Sequence, residues 1–201
     1  MHDSSISDSD SLAATALNHW RTRAKTVFSQ GDIWFGTLLV DNHTLSRAQG
    51  DEDVSVTVGI CDWEWAGPND PAADIAQLGC YVHLLSICPL TSSAQNEVVY
   101  AFAETLYGSY FAGLKKQPDL AFWRSLLIMH GWEMANAAGW SARQSLWCSC
   151  DGSAVRCNHI KDLVLEGARF LRAAQRTSNI AEAAHEMAQL SWTKYFPIAG
   201  L

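Results

Sequence analysis

The chain has 201 residues, 48% of them apolar and 17% charged, which fits one globular domain with its own core and excludes a broadly disordered protein. Its 21 acidic and 14 basic residues leave a formal charge of −7, the wrong sign for a nucleic-acid binder that works by neutralising phosphates. No apolar run approaches the ~20 residues of a membrane helix, and the opening MHDSSISDSDS is polar and acidic where a signal peptide is basic and then apolar.

A cytoplasmic location is therefore expected, with no nucleic-acid or membrane partner. The six cysteines (Cys61, Cys80, Cys88, Cys148, Cys150 and Cys157) are expected to be reduced thiols. Residues 1–10, rich in Ser and Asp, are expected to form a disordered acidic tail ahead of a single domain over 11–201.

From Ser11, which can cap it, a helix is predicted with Leu12, Leu17, Trp20, Ala24, Val27 and Phe28 as its apolar stripe, ending near Gln30-Gly31. A loop then leads to a short strand at Leu38 to Val40. The polar segment Asn42 to Asp53 reads as a hairpin connection to a second strand, in which Val54, Val56, Val58 and Ile60 share one face.

The remainder is predicted helical. Asp70-Pro71 opens a helix with Ile75, Leu78, Val82 and Leu85 on one face, and Cys88-Pro89 stops it. Thr91 or Ser92 can cap the next, with Val98, Val99, Phe102, Leu106 and Tyr110 inward. A third begins near Asp119 and carries Phe122, Leu126, Leu127, Met134 and Ala138. Beyond a SLWCSCDGS loop a fourth carries Ile160, Leu163, Val164, Gly167, Phe170 and Leu171. A last one starts at Ser178 with Ile180, Ala184, Met187 and Leu190. The fold class is α+β but mainly helical, a short hairpin against about six helices.

Two acidic motifs bracket the hairpin. Asp32 lies on a Gly-flanked loop in Gln30-Gly31-Asp32-Ile33-Trp34-Phe35-Gly36-Thr37, and Asp62 directly follows a strand expected to be buried. A hairpin would bring the two together, and paired carboxylates at one end of a small sheet suit a hard cation such as Mg²⁺ and the positioning of a hydroxyl nucleophile. Acids at loop ends also serve as solvated or capping groups, so residue type alone leaves both roles open.

The stretch Cys61-Asp62-Trp63-Glu64-Trp65-Ala66-Gly67-Pro68-Asn69-Asp70-Pro71-Ala72-Ala73-Asp74-Ile75-Ala76, following the Asp32 loop, resembles the paired signatures of the aminoglycoside phosphotransferase and choline kinase-like superfamily, which has a protein kinase-like fold. The resemblance is detailed over roughly residues 30–86 and general beyond. It implies the C-terminal lobe of such a fold and transfer of the γ-phosphate of ATP to a small hydroxyl-bearing metabolite, a cationic one included. Matched by position, Asp32 is the catalytic Asp, Asp62 the Mg²⁺ ligand beside the nucleotide phosphates, and Asp74 a brace for the loop. Gln30 stands where the family has His, and Thr37 where it has the Asn that is the second metal-side ligand. Trp34, Glu64 and Trp65 fall on the substrate side.

Departures from the pattern define the rival reading. Gln30 cannot titrate near neutrality, and the Thr37 hydroxyl is a shorter ligand than an amide. No Gly-rich phosphate loop occurs, and Lys25, Lys115, Lys116, Lys161 and Lys194 lack the setting of the family's phosphate-binding Lys. The N-terminal lobe is thus expected to be absent, ATP binding by this chain alone to be impaired, and an interlobe surface to be left for self-association or a partner chain. The alternative is a non-catalytic, pseudokinase-like binding protein.

Weaker signals complete the reading. Cys148, Cys150, Cys157 and His159 have metal-ligand chemistry but no familiar zinc spacing. His130 and Glu133 share a helix face that would line an acceptor cleft or be satisfied locally. Trp34, Trp63 and Trp65 would either pack around the loop or hold an amine by cation–π contact.

Overall fold

The computed structural model describes residues 7–41, 56–144 and 158–196. Among these, six α-helices and two small antiparallel ribbons make up a mainly helical α+β fold. The expected hairpin connection at 42–53, Val54 of the second strand, and Cys148, Cys150 and Cys157 lie outside the described residues.

The first helix, α1 (Ser9–Thr22), starts earlier and ends sooner than its apolar pattern predicts. Asp8, not Ser11, is its N-cap residue, and the Asp8 carboxylate accepts from Arg172 Nε at 2.8 Å and Nη2 at 2.6 Å. That fork pins residues assigned to a tail onto the bundle. Leu12 and Ala16 face the core, while Leu17 and Trp20 stay exposed. Val27 and Phe28, read as a continuation of the helix, form β1 (Val27–Ser29), which pairs with β4 (Gly67–Asn69).

The second ribbon joins β2 (Leu38–Val40) to β3 (Val58–Ile60), with Leu38 opposite Ile60 and Val40 opposite Val58. The expected burial of the second strand is corrected: Val56, Val58 and Ile60 are all exposed, as are Leu39 and Val40. The alternation is real, but no layer covers its apolar face among the described residues.

The bundle follows. Helix α2 (Ala73–Ile87) begins just after Asp70-Pro71, as expected, with Asp70 Oδ1 accepting from Ala72 N at 2.8 Å in the turn that leads into it. Helix α3 (Ser93–Gly113) opens on a capping box in which Ser92 and Gln95 satisfy each other's backbone N–H. Val99, Leu106 and Tyr110 of its expected inward stripe pack against the core, but the stripe is shifted at its other two positions. Ala103 and Tyr107 are buried, whereas Val98 and Phe102 face solvent.

Helix α4 (Leu120–Gln144) is capped by Asp119, whose Oδ1 accepts from Phe122 N at 2.9 Å, and it buries Phe122, Leu126, Leu127, Met134 and Ala138 as expected. Helix α5 (Asn158–Arg176) makes its widest contact with α4. Helix α6 (Ile180–Ala188) is capped by Asn179 in place of Ser178, and a 3-10 segment at Ser191–Tyr195 inserts Trp192 into the core.

The α4–α5 crossing is close because two glycines face each other. A Cβ on Gly131 would lie 2.6 Å from the Gly167 carbonyl oxygen, and one on Gly167 would lie 2.7 Å from that of Gly131. Neither contact is with a flexible side chain that could yield.

Beside the crossing sits a buried histidine pair. His83 Nδ1 lies 3.1 Å from His130 Nε2, His83 stacks on Trp192 with ring centroids 4.6 Å apart, and His130 stacks on Phe170 at 4.3 Å. His130 is fully buried, so it is a core residue and not the lining of an open cleft. Burial holds the His83 pKa down to about 3, and burial together with the neighbouring His83 holds that of His130 well below its ordinary value.

Two outcomes follow from this packing. Gly131→Ala should lower the unfolding free energy by about 1–3 kcal/mol without changing the denaturant m-value, measured by urea titration. The histidines bind protons less readily when folded than when unfolded. Their contribution to stability is complete above the ordinary pKa of about 6.5 and is lost as pH falls from there towards 3. Thermal unfolding at pH 7.5, 6 and 5 should show a falling midpoint, and His83→Gln should flatten that fall.

Candidate functional site

The site is built around the loop that leaves β1. Gly31 has φ +90°, a left-handed conformation, and a Cβ there would collide with the Trp65 carbonyl oxygen, so only glycine fits. Its N–H and that of Gln30 point together at one acceptor. Gln30 N donates to Asp74 Oδ2 at 2.8 Å, and Gly31 N donates to Asp74 Oδ1 at 3.0 Å. Asp74 lies in the first turn of α2, where the helix dipole favours a carboxylate.

The Gln30 side chain, only 4% exposed, links the two acidic motifs. Its Nε2 donates to the carbonyls of Cys61 (3.1 Å) and Asp62 (2.8 Å), while its Oε1 accepts from Asp32 N at 2.8 Å. One neutral amide thus ties the backbone at Asp32 to the backbone at Asp62. The β2–β3 ribbon adds a second tie, extended by Cys61 N donating to Thr37 O at 3.0 Å.

Gln77, one turn beyond Asp74, is a site residue that sequence reasoning missed. Its Nε2 donates to Asp32 Oδ1 at 3.0 Å and its Oε1 accepts from Ile33 N at 3.1 Å, so it fixes the Asp32 carboxylate and the loop behind it. The signal was its i+3 offset from Asp74, which puts both on one face of α2. Tyr81 continues that face, with its ring centroid 6.3 Å from that of Trp34. Burial raises the Tyr81 phenol well above its ordinary range, and the Glu133 and Asp32 charges add to that rise.

Glu133, on α4, borders the same region. Burial, reinforced by the Asp32 charge and opposed by a hydrogen bond with Asn136, brings its pKa up to about 7. Of the two residues expected on this helix face, Glu133 is near Asp32 and His130 belongs to the core.

Asp62 caps a 3-10 turn at Trp63–Trp65, has φ 56° and ψ 54°, and is exposed. Glu64 is exposed beside it. Trp34, Trp63 and Trp65 are 42%, 50% and 68% exposed, so none of them serves as core packing, although Trp63 Nε1 donates to Ile60 O at 2.7 Å. Thr37 is different. It is fully buried, and its hydroxyl donates to Trp34 O at 2.8 Å and accepts from Trp34 N at 3.2 Å. The hydroxyl closes a turn within the loop and is not presented as a metal ligand.

The described residues contain no group of three or more His, Cys, Asp or Glu side chains arranged to hold a metal. Asp62 offers a single exposed carboxylate. That fits a Mg²⁺ ion arriving on phosphate oxygens and keeping its waters, and does not fit a cage made by protein alone. Among the described residues, no helix is long and apolar enough to cross a membrane. In comparisons with known proteins, the chain matches no family model, no curated protein and no solved structure.

The Asp74 carboxylate carries the loop, so its removal should be felt there. Asp74→Ala leaves two backbone N–H groups without their acceptor and should lower the unfolding free energy by about 2 kcal/mol. Amide hydrogen exchange should speed up at Gln30 and Gly31 before it does in α4. Equal acceleration in both places would show that the carboxylate supports the whole bundle and not the loop.

Proposed function

We propose that the chain is a phosphotransferase-type C-terminal lobe in which Asp32 orients the hydroxyl of a small acceptor and receives its proton. The observation that carries this reading is the Gln30 amide, which holds Asp32 and Asp62 in one framework while Gln77 fixes the Asp32 carboxylate. In the proposed reaction the acceptor oxygen forms a bond to the γ-phosphorus of ATP as the bond to the ADP oxygen breaks. Such transfer depends on positioning and charge neutralisation more than on covalent help from the protein. Asp62 would hold Mg²⁺, which when bound neutralises phosphate charge.

Acceptor chemistry is argued from the surroundings. Glu133, Glu64 and the open faces of Trp34 and Trp65 offer negative charge and π-surface, which suit an amine-bearing alcohol. The net charge of −7 favours the same partner over long range.

A second reading, a non-catalytic binding protein, is favoured by two specific observations. The Thr37 hydroxyl is consumed inside the loop, and the β2–β3 ribbon leaves Val40, Val58 and Ile60 exposed on one apolar face of the kind that partners cover.

Calorimetric titration with Mg·ATP separates the two. The phosphotransferase reading expects saturable binding that Asp62→Ala weakens about tenfold or more, with Asp32→Asn retaining nucleotide but losing transfer. Absence of both heat and thermal shift at millimolar nucleotide would leave the binding-protein reading standing.

A further inference from the structure

We propose that a cleft between the C-terminal end of α1 and the first turns of α4 binds a small organic anion, a carboxylate or a phosphate ester, gripped by Arg23 and Arg124. The cleft has a volume of about 760 Å³ and lies outside the Asp32 loop. That volume is within the range of metabolite pockets.

Arg23 is the main evidence. Its guanidinium lies over the Trp20 ring, 3.7 Å from the centroid, and Nη1 reaches only the Met129 sulfur at 3.9 Å. Its Nε is buried with no hydrogen-bond partner. Among the described residues no carboxylate forms a salt bridge with it. A buried guanidinium edge left this way is unfavourable unless something that accepts hydrogen bonds completes it.

Arg124 adds a second cation. It is exposed on the cleft wall, and among the described residues no ion pair or hydrogen bond engages it. The two carboxylates of the cleft already accept backbone N–H groups, Asp70 from Ala72 N in the turn before α2 and Asp119 from Phe122 N as the cap of α4. Asp70 also acts on Arg23 and His19 through space without bonding to either.

The remaining wall supports an organic ligand over a bare ion. Ser125 Oγ and His19 Nε2, 3.1 Å apart, bond to each other in the cleft wall, and Phe122 and Ile128 supply an apolar floor. A guanidinium fork matches the oxygens of a carboxylate or a phosphate, and two arginines lining one cleft add positive charge there. The segment from Arg23 runs directly through β1 into Gln30, so occupancy at this cleft bears on the start of the Asp32 loop.

The test is titration of the full chain with inorganic phosphate and with citrate, ionic strength being held constant with sodium chloride. Saturable binding of either anion is expected, weakened about tenfold or more in Arg124→Gln and in Arg23→Gln. Phosphate preference would indicate a phosphate ester, and citrate preference a carboxylate. Arg169→Gln, an exposed arginine on α5 paired with Glu166, should bind as the parent does. Arg124 is exposed, so its variant folds and decides the matter even if Arg23→Gln does not fold. Lack of saturation with both anions, unchanged binding in Arg124→Gln, or an equal loss in Arg169→Gln would overturn the proposal.

Discussion

Two backbone N–H groups, those of Gln30 and Gly31, converge on the two oxygens of Asp74, and the site depends on that convergence. Gly31 reaches it only by adopting φ +90°, a conformation that favours glycine. A three-residue strand such as β1 has little stability of its own. Its end is fixed because α2, a helix well buried along its other face, presents an acceptor at its first turn. Rigidity passes from the bundle to the loop through one side chain.

From there the order spreads by hydrogen bonds that cross between motifs far apart in sequence. Gln30 joins residue 32 to residues 61 and 62, and Gln77 joins residue 32 to α2. Each amide donates and accepts at once, so each closes two gaps with one side chain. A histidine at position 30 would offer one donor and one acceptor in its neutral form only. Glutamine keeps both at every pH, which makes the framework itself insensitive to protonation.

The helical part of the fold was legible because long amphipathic stretches and their caps are local signals. Ser92 and Asp119 sit where capping chemistry predicts, and α4 buries the five residues its period selects. What stayed hidden was non-local. Val27 and Phe28 continue a helical apolar pattern, yet β1 forms because Gly67–Asn69 offers it a partner 40 residues away. Val58 and Ile60 alternate like a half-buried strand, but burial depends on a second layer that alternation cannot supply. The α3 stripe was legible at Val99, Leu106 and Tyr110 but missed Tyr107, which reads as a polar-tipped residue and is fully buried, its hydroxyl accepting from Trp192 Nε1 at 3.1 Å. Within the site, the aspartates stood out by motif, whereas Gln77 was visible only by its spacing from Asp74.

The contrast between a non-titrating frame and a titrating wall shapes how this region responds to pH. Gln30 and Gln77 hold Asp32 in place without gaining or losing charge. Glu133, with its pKa brought up to about 7 by burial and by Asp32, is half charged near neutrality. As pH rises through that value the region of Asp32 gains negative charge, and its attraction for a cation grows. As pH falls, Glu133 becomes a neutral donor and the pull on a cation weakens, with the loop geometry unchanged. The physical consequence is that charge and geometry are controlled by different side chains, so either can change without disturbing the other.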